Sequence, residues 1–157
     1  MFQSIDPKQL QENVFSLIGD QWTLITAGTP DHCNTMTASW GGLGVIWGAP
    51  AATCYIRPQR YTPEFVEREN CFTLSFFGEE YRKALALCGS KSGRDVDKVK
   101  ECGFTVETAA CGAPYFAQAS LVLVCRKLYV QDLDLGGMAE KVQIFYGPAQ
   151  GGIHRAY

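Results

Sequence analysis

Three polar clusters hold most of the residues that could carry chemistry in this chain. One is NTMTASW, where strand alternation sends Thr35, Thr37 and Ser39 to one side and Asn34, Met36, Ala38 and Trp40 to the other. Such a strip serves equally as a half-buried strand or as an edge that touches a ligand. A second is YIRPQRYT, with Arg57 and Arg60 just beyond a strand and Thr62 at a helix start. Two guanidiniums beside a helix N-terminus suit a phosphate; solvated surface arginines are the plain alternative. The third, CGSKSGRD, crowds Cys88, Gly89, Ser90, Ser92, Gly93, a lysine and an arginine into one turn between helices. Backbone N–H groups and cations there can cradle an anion, although a solvated loop has the same composition. Together, two anion-favouring clusters point to a small ligand bearing a phosphate.

The chain around them is mildly acidic: 14 Lys plus Arg against 16 Asp plus Glu give a formal charge of −2. That excludes a broadly basic surface for nucleic acid and leaves room for one local basic pocket. A length of 157 residues with 46% hydrophobic and 19% charged side chains describes one folded domain, 1–157. Sequence alone places neither His32 nor His154 beside a nucleophile and a third orienting group, so a triad has no support. Zinc-protease, nucleophile-elbow and P-loop motifs do not occur, and Gly42 and Gly44 lack the rest of a dinucleotide fingerprint.

Seven cysteines, an odd number without any C-x-x-C pair, form neither a closed disulfide framework nor a zinc site. Cys54, Cys71 and Cys125 lie in apolar runs and read as small hydrophobes, whereas Cys33 and Cys88 stand beside turns, where thiols gain exposure. The N-terminal residues do not read as a signal peptide, and no apolar run reaches the ~18 residues of a membrane span. A cytoplasmic protein without membrane or nucleic-acid partners is expected.

The elements that must position the clusters are mostly strands. WTLITAGT, TMTASWGGLGVIW, ATCYIR, CFTLSFF, SLVLVCRKLYV and VQIFY read as extended segments, the second with glycines that suggest a bulge. An N-terminal helix is predicted from the Asp6–Gln9 capping box and Pro7. Leu10, Val14, Leu17 and Ile18 form its stripe, and Ile5 and Leu10 its staple. Further helices are predicted from Thr62 to Glu69, from Glu79 to Cys88, and over VDKVKECG with Asp95 as cap. Strands outnumber helices without long alternation, so a small barrel with peripheral helices fits better than a doubly wound sheet.

In their order and spacing, NTMTASWGG, YIRPQRYT, FTLSFF and CGSKSGRDVDK resemble the flavin reductase-like family of FMN-binding split barrels, especially its flavoredoxin-type branch. The resemblance runs from about Trp22 to Tyr129, with an echo at His154–Tyr157. It implies a mainly β, Greek-key split β-barrel with peripheral helices, a homodimer, and FMN near the subunit interface. Asn34 and Met36, Thr37, Ala38, Ser39 and Trp40 would line the flavin ring. Arg57 would lie alongside the cofactor, with Arg60 and Thr62 at its phosphate. Ser90, Ser92, Gly93 and Lys98 would form a second phosphate-side segment, and Cys88 and Gly89 would bring backbone near the ribityl chain. His154 would neighbour the flavin or a nicotinamide. The family pattern continues past His154–Tyr157 with another barrel strand, so either a truncated C-terminal end or a barrel that closes differently is expected.

Redox capacity in such a protein belongs to the cofactor, which explains why no catalytic side chain or metal ligand stands out. The expected activity is an NAD(P)H-dependent flavin oxidoreductase. It would pass electrons from NADH, NADPH or a protein donor through FMN to free flavin, a metal-bound substrate or a partner protein. A non-enzymatic flavin-binding electron carrier, a barrel holding another phosphorylated cofactor, and a structural interaction domain are the rival expectations.

Overall fold

The computed structural model describes residues 2–157. Ten strands run along the described chain: β1 (Thr23–Thr29), β2 (His32–Ala38), β3 (Gly41–Ile46), β4 (Ala49–Ile56) and β5 (Cys71–Phe76) come first. They are followed by β6 (Val106–Thr108), β7 (Pro114–Phe116), β8 (Leu121–Arg126), β9 (Gln131–Asp132) and β10 (Arg155–Ala156). Helices are short: α1 (Val14–Ser16), α2 (Pro63–Arg68), α3 (Arg82–Ser90), α4 (Lys98–Glu101) and α5 (Glu140–Gln143). Strand order is β2-β1-β5-β8 in one sheet and β3-β4-β10-β9 in a second, with β6-β7 as a separate hairpin. Neighbours pair antiparallel, which disposes of a doubly wound sheet. The result is a mixed α/β fold with a β-sheet core and peripheral helices.

β1 explains the core. Its residues Thr23 to Gly28 are all buried, because the strand is covered on both faces. Ile25 and Ala27 enter one apolar cluster with Met36, Ile56, Val66 and Phe76, while Leu24 enters another with Phe77, Leu85, Phe104 and Phe116. Three of the buried hydroxyls find partners: Thr26 Oγ1 and Thr35 Oγ1 are 2.9 Å apart across the β1–β2 register, and Thr23 Oγ1 donates to Ser75 O at 3.1 Å, whereas Ser75 Oγ has none among the described residues. Phe104 and Phe116 stack at 4.6 Å between ring centroids, and truncating the fully buried Phe116 to Ala would cost about 3–5 kcal/mol. Gly28, at φ +115°, pairs with Cys33 just before the Pro30–Asp31 turn; a side chain there would meet His32 O at 2.4 Å.

Several expectations change. The N-terminal helix is broken: a 3₁₀ turn at Pro7–Gln9 holds the predicted capping box, and Asn13 then caps a new start at α1. Leu17 and Ile18 are buried in the following π turn, Leu17–Gln21, while Ile5 stays exposed and forms no staple. TMTASWGGLGVIW is not one strand, because the chain leaves the first sheet after Ala38 and enters the second at Gly41. VQIFY is helical, falling in α5 and the 3₁₀ turn Ile144–Tyr146. Asp97, not Asp95, caps α4, accepting from Lys100 N at 3.1 Å; the Asp95 N–H turns back to Ser92 O. All seven cysteines are free, and Cys88, expected near exposure, is completely buried. Among the described residues no helix is long and apolar enough to cross a membrane, and no group of three metal-ligating side chains occurs.

Candidate anion-binding site

Two turns make the site. The first leaves β4 at Ile56 and reaches α2 through Arg57–Thr62, closed by Arg60 N donating to Arg57 O at 3.1 Å. The second joins α3 to α4, and Ser92 organises it. Its carbonyl accepts from Asp95 N and Val96 N at 3.1 Å, and its Oγ accepts from Arg94 N at 3.1 Å. Between the turns, over Met36 of β2, lies a cavity of about 390 Å³. Arg57, Arg60, Lys91 and Lys98 line it, and no carboxylate does, in a chain whose formal charge is −2. The positive field is local, and the fold rather than the composition concentrates it.

Lys98 is the anchor of this wall. It is only 5% exposed, and its ammonium donates to Thr35 O and Cys88 O, each at 2.8 Å. One of its three N–H groups is left over. Burial, more than any other cause, holds its pKa below the ordinary lysine range, with Arg60 adding repulsion. Arg60 donates through Nη1 to Gly89 O at 2.7 Å, tying the first turn to the end of α3, and burial and then Arg57 lower its pKa. Arg57 is engaged elsewhere: its guanidinium donates to the carbonyls of Phe145, Gln150 and Gly152 at 2.6–2.9 Å. It holds the C-terminal segment against the cavity, where Gln150 forms part of the wall.

Of the residues singled out in the sequence, Met36, Arg57, Arg60, Thr62, Ser90, Ser92, Gly93 and Lys98 meet around this cavity. Asn34 and Thr62 support it from behind, through a buried Nδ2-to-Oγ1 bond of 2.8 Å. Gly93 packs directly on that pair; a Cβ on it would lie 1.9 Å from Asn34 Oδ1. Thr37 donates to Leu85 O, and Gly89 lies close enough that an added Cβ would meet Thr37 Cβ at 3.3 Å. Ser90 Oγ turns back on its own helix, donating to Ala86 O at 2.8 Å. Cys88 takes part through its carbonyl, since its side chain is buried in the second apolar cluster. Ala38 is buried in the first cluster, and Ser39 is half-buried where the chain changes sheets.

Trp40 and His154 do not line the cavity and form a separate aromatic group. The His154 ring lies 5.1 Å from Trp40, its Nδ1 is 3.1 Å from the Tyr146 hydroxyl, and Phe145 packs edge-on against Trp40. Desolvation, then the charges of Arg57 and Arg60, pushes the imidazole down to about 4, so it is neutral at pH 7. Sequence reasoning missed Gln59, Tyr61, Lys91 and Gln150 in the lining. The first three sit inside the quoted motifs and were within reach. Gln150 had no signal, because the fold alone brings it there.

A β-sheet core with peripheral helices thus carries a cationic cavity between two turns. The model described as Flavin reductase like domain matches residues 15–139, and the chain belongs to that family. A search of curated proteins finds no match. Among solved structures, flavoredoxin from Methanosarcina acetivorans is similar at 21% identity and TM-score 0.65, over 100% of this chain and 75% of that one. The FMN-binding protein from Thermus thermophilus is similar at 18% identity and TM-score 0.68, over 99% of this chain and 76% of that one. Nitrilotriacetate monooxygenase component B from Bacillus cereus follows at 15% identity and TM-score 0.65, over 99% and 77%. At these identities the likeness is one of fold.

Proposed function

We propose that this protein is an FMN-binding oxidoreductase on a Greek-key split β-barrel: a flavin reductase or flavoredoxin. It takes electrons from NADH, NADPH or a protein donor and passes them through FMN to free flavin, a metal-bound substrate or a partner protein. The observation that carries this reading is the convergence of both anion-favouring motifs on one carboxylate-free cavity over Met36. The lining fits a flavin phosphate by its donor set. Arg60 and Lys98 keep N–H groups beyond those they spend on carbonyls, and the Ser92 hydroxyl can donate as well as accept.

Bound there, FMN would supply the electron storage that no side chain of the protein offers. Arg60, Thr62, Ser92, Gly93 and Lys98 would hold the phosphate, and Arg57 would keep the outer wall in place. Asn34, Met36, Thr37, Ala38, Ser39 and Trp40 would set the ring's surroundings, with the backbone of Cys88 and Gly89 and the hydroxyl of Ser90 along the chain between. His154, neutral beside Trp40, would border the nicotinamide side without bringing a charge to it. A second copy of the chain is the proposed partner. Val45 and Trp47 at the β3–β4 turn are 78% and 68% exposed, an apolar edge that a homodimer would cover.

Titration of the apo-protein with FMN, followed by its visible spectrum, tests the cofactor. Failure to take up flavin would sink the proposal. Stopped-flow mixing of the FMN-loaded protein with NADH and with NADPH then tests the donor. Bleaching by either nucleotide supports the reductase, and bleaching by dithionite alone reassigns the protein as an electron carrier. Sedimentation at micromolar concentration tests the dimer, and a monomer would reject it.

A further inference from the structure

Of the seven thiols, that of Cys88 belongs to the residue whose carbonyl accepts from Lys98 of the cavity wall, and its sulfur has a neighbour. Its Sγ lies 3.7 Å from the Sγ of Cys102, which follows α4, and the two are separated by 14 positions in the chain. That interval contains Ser92, Gly93 and Lys98, so the thiols stand at the foot of the loop whose crown lines the cavity. Cys88 is fully buried, whereas Cys102 is half-buried and also lies 3.7 Å from Ala84 O. One member of the pair is therefore reachable and the other is its only sulfur partner within bonding range among the described residues.

The surroundings favour a bridge. α4 has four residues and is followed by Gly103 at φ +66°, so it is a short piece between two turns rather than a rigid rod. Closing the sulfurs from 3.7 Å to a bond of about 2.05 Å asks that piece to approach α3 by less than the width of a methyl group. Its first residue is Lys98, whose ammonium already bonds Cys88 O.

We propose that Cys88 and Cys102 are a reversible dithiol–disulfide site that staples α3 to α4 beneath the cationic cavity, with a peroxide as oxidant. The Cys102 thiolate attacks one peroxide oxygen, the O–O bond breaks, and the second oxygen leaves as water or alcohol after taking up a proton. Cys102 is then a sulfenic acid. The Cys88 sulfur attacks the Cys102 sulfur, the S–O bond breaks, and the hydroxyl departs as water with the Cys88 proton. Two electrons have passed from the thiols to the peroxide. Two equivalents of a small thiol restore the pair and are themselves joined as a disulfide. Burial holds both thiols above their ordinary range, Cys88 at about 12, and Lys98 opposes this. The pair is thus slow to ionise, and its selectivity comes from proximity. The proposal is independent of whether the cavity takes a flavin.

The test treats the reduced full-length protein with hydrogen peroxide and then blocks remaining thiols with iodoacetamide. Digestion with trypsin and a glutamate-specific protease separates Cys102 from Cys111, because Glu107 lies between them. The expected product joins the peptide Ala84–Lys91 to Cys102–Glu107, two hydrogens lighter than their sum, and a reductant splits it. Oxidised protein should melt about 6–12 °C above reduced protein, as closing a loop of this length predicts. Cys102→Ser should abolish both the joined peptide and the rise. Separate alkylated or over-oxidised peptides overturn the proposal, as does a joined peptide with no rise in melting temperature. Should the serine variant fail to fold, the wild-type peptide map and melt decide alone.

Discussion

Replacing Gly93 with Ala tests how tightly the second turn is keyed to the first. The new Cβ would lie 1.9 Å from Asn34 Oδ1, 2.9 Å from its Cγ and 3.2 Å from Tyr61 Cδ1. Carbon and oxygen settle at about 3.3–3.6 Å, so the Asn34 amide has to retreat by more than 1 Å, roughly a bond length. Asn34 is 5% exposed and donates to Thr62 Oγ1 at 2.8 Å, and that bond does not survive such a displacement. Losing it and stranding buried polar atoms costs about 2–4 kcal/mol. For a domain of this size that lowers the melting temperature by about 4–16 °C. Urea denaturation of the wild type, Gly93→Ala, Asn34→Ala and the double variant isolates the cause. Once Asn34→Ala has removed the obstacle, Gly93→Ala should cost less than about 0.5 kcal/mol, leaving a coupling of at least ~1.5 kcal/mol. Equal costs in both backgrounds would refute the reasoning.

Arg60→Ala removes the bond to Gly89 O and one free cation, so FMN affinity should fall about tenfold to a hundredfold in a fluorescence titration. Melting of the apo form should change far less, and unchanged affinity would remove Arg60 from the phosphate site. His154 binds its proton less well folded than unfolded, at about 4 against 6.5. Stability from this residue is therefore complete above pH 6.5 and is lost as pH falls toward 4, by about 3 kcal/mol at most. In urea melts the wild type should lose stability more steeply than His154→Gln as pH falls through that window, so that the gap between them shrinks; an identical pH dependence in both would contradict the assignment. Arg57→Ala frees three carbonyls at once, so amide hydrogen exchange across residues 144–152 should accelerate about tenfold or more. Unaltered exchange there would show that other contacts hold the segment.

The sheet was readable where burial leaves a plain signature. β1 and β5 are dense in β-branched and aromatic residues because both faces of β1 and most of β5 are covered. α2 and most of α3 fall within the helices predicted from Thr62 to Glu69 and from Glu79 to Cys88. VQIFY misled because its side chains suit a strand, while its backbone is shaped by contacts distant in sequence: Arg57 takes the Phe145 carbonyl, and His154 meets the Tyr146 hydroxyl. The break after Ala38 was equally hidden. Alternation continues through Ser39 and Trp40, and only pairing partners reveal that the next strand belongs to another sheet. Both basic motifs of the cavity were visible. That Lys98 would spend two of its hydrogen bonds on Thr35 and Cys88 carbonyls was not, because spacing does not say which donors remain for a ligand.

The grip of Arg57 on Phe145, Gln150 and Gly152 reads only main-chain oxygens. A guanidinium that recognises carbonyls is blind to the side chains attached to them. The outer wall of the cavity can therefore change its chemical lettering, Gln150 included, while keeping its position. One fixed cation on the β4 turn thus acts as a socket into which alternative C-terminal segments could be fitted, each presenting a different face to the same cationic floor.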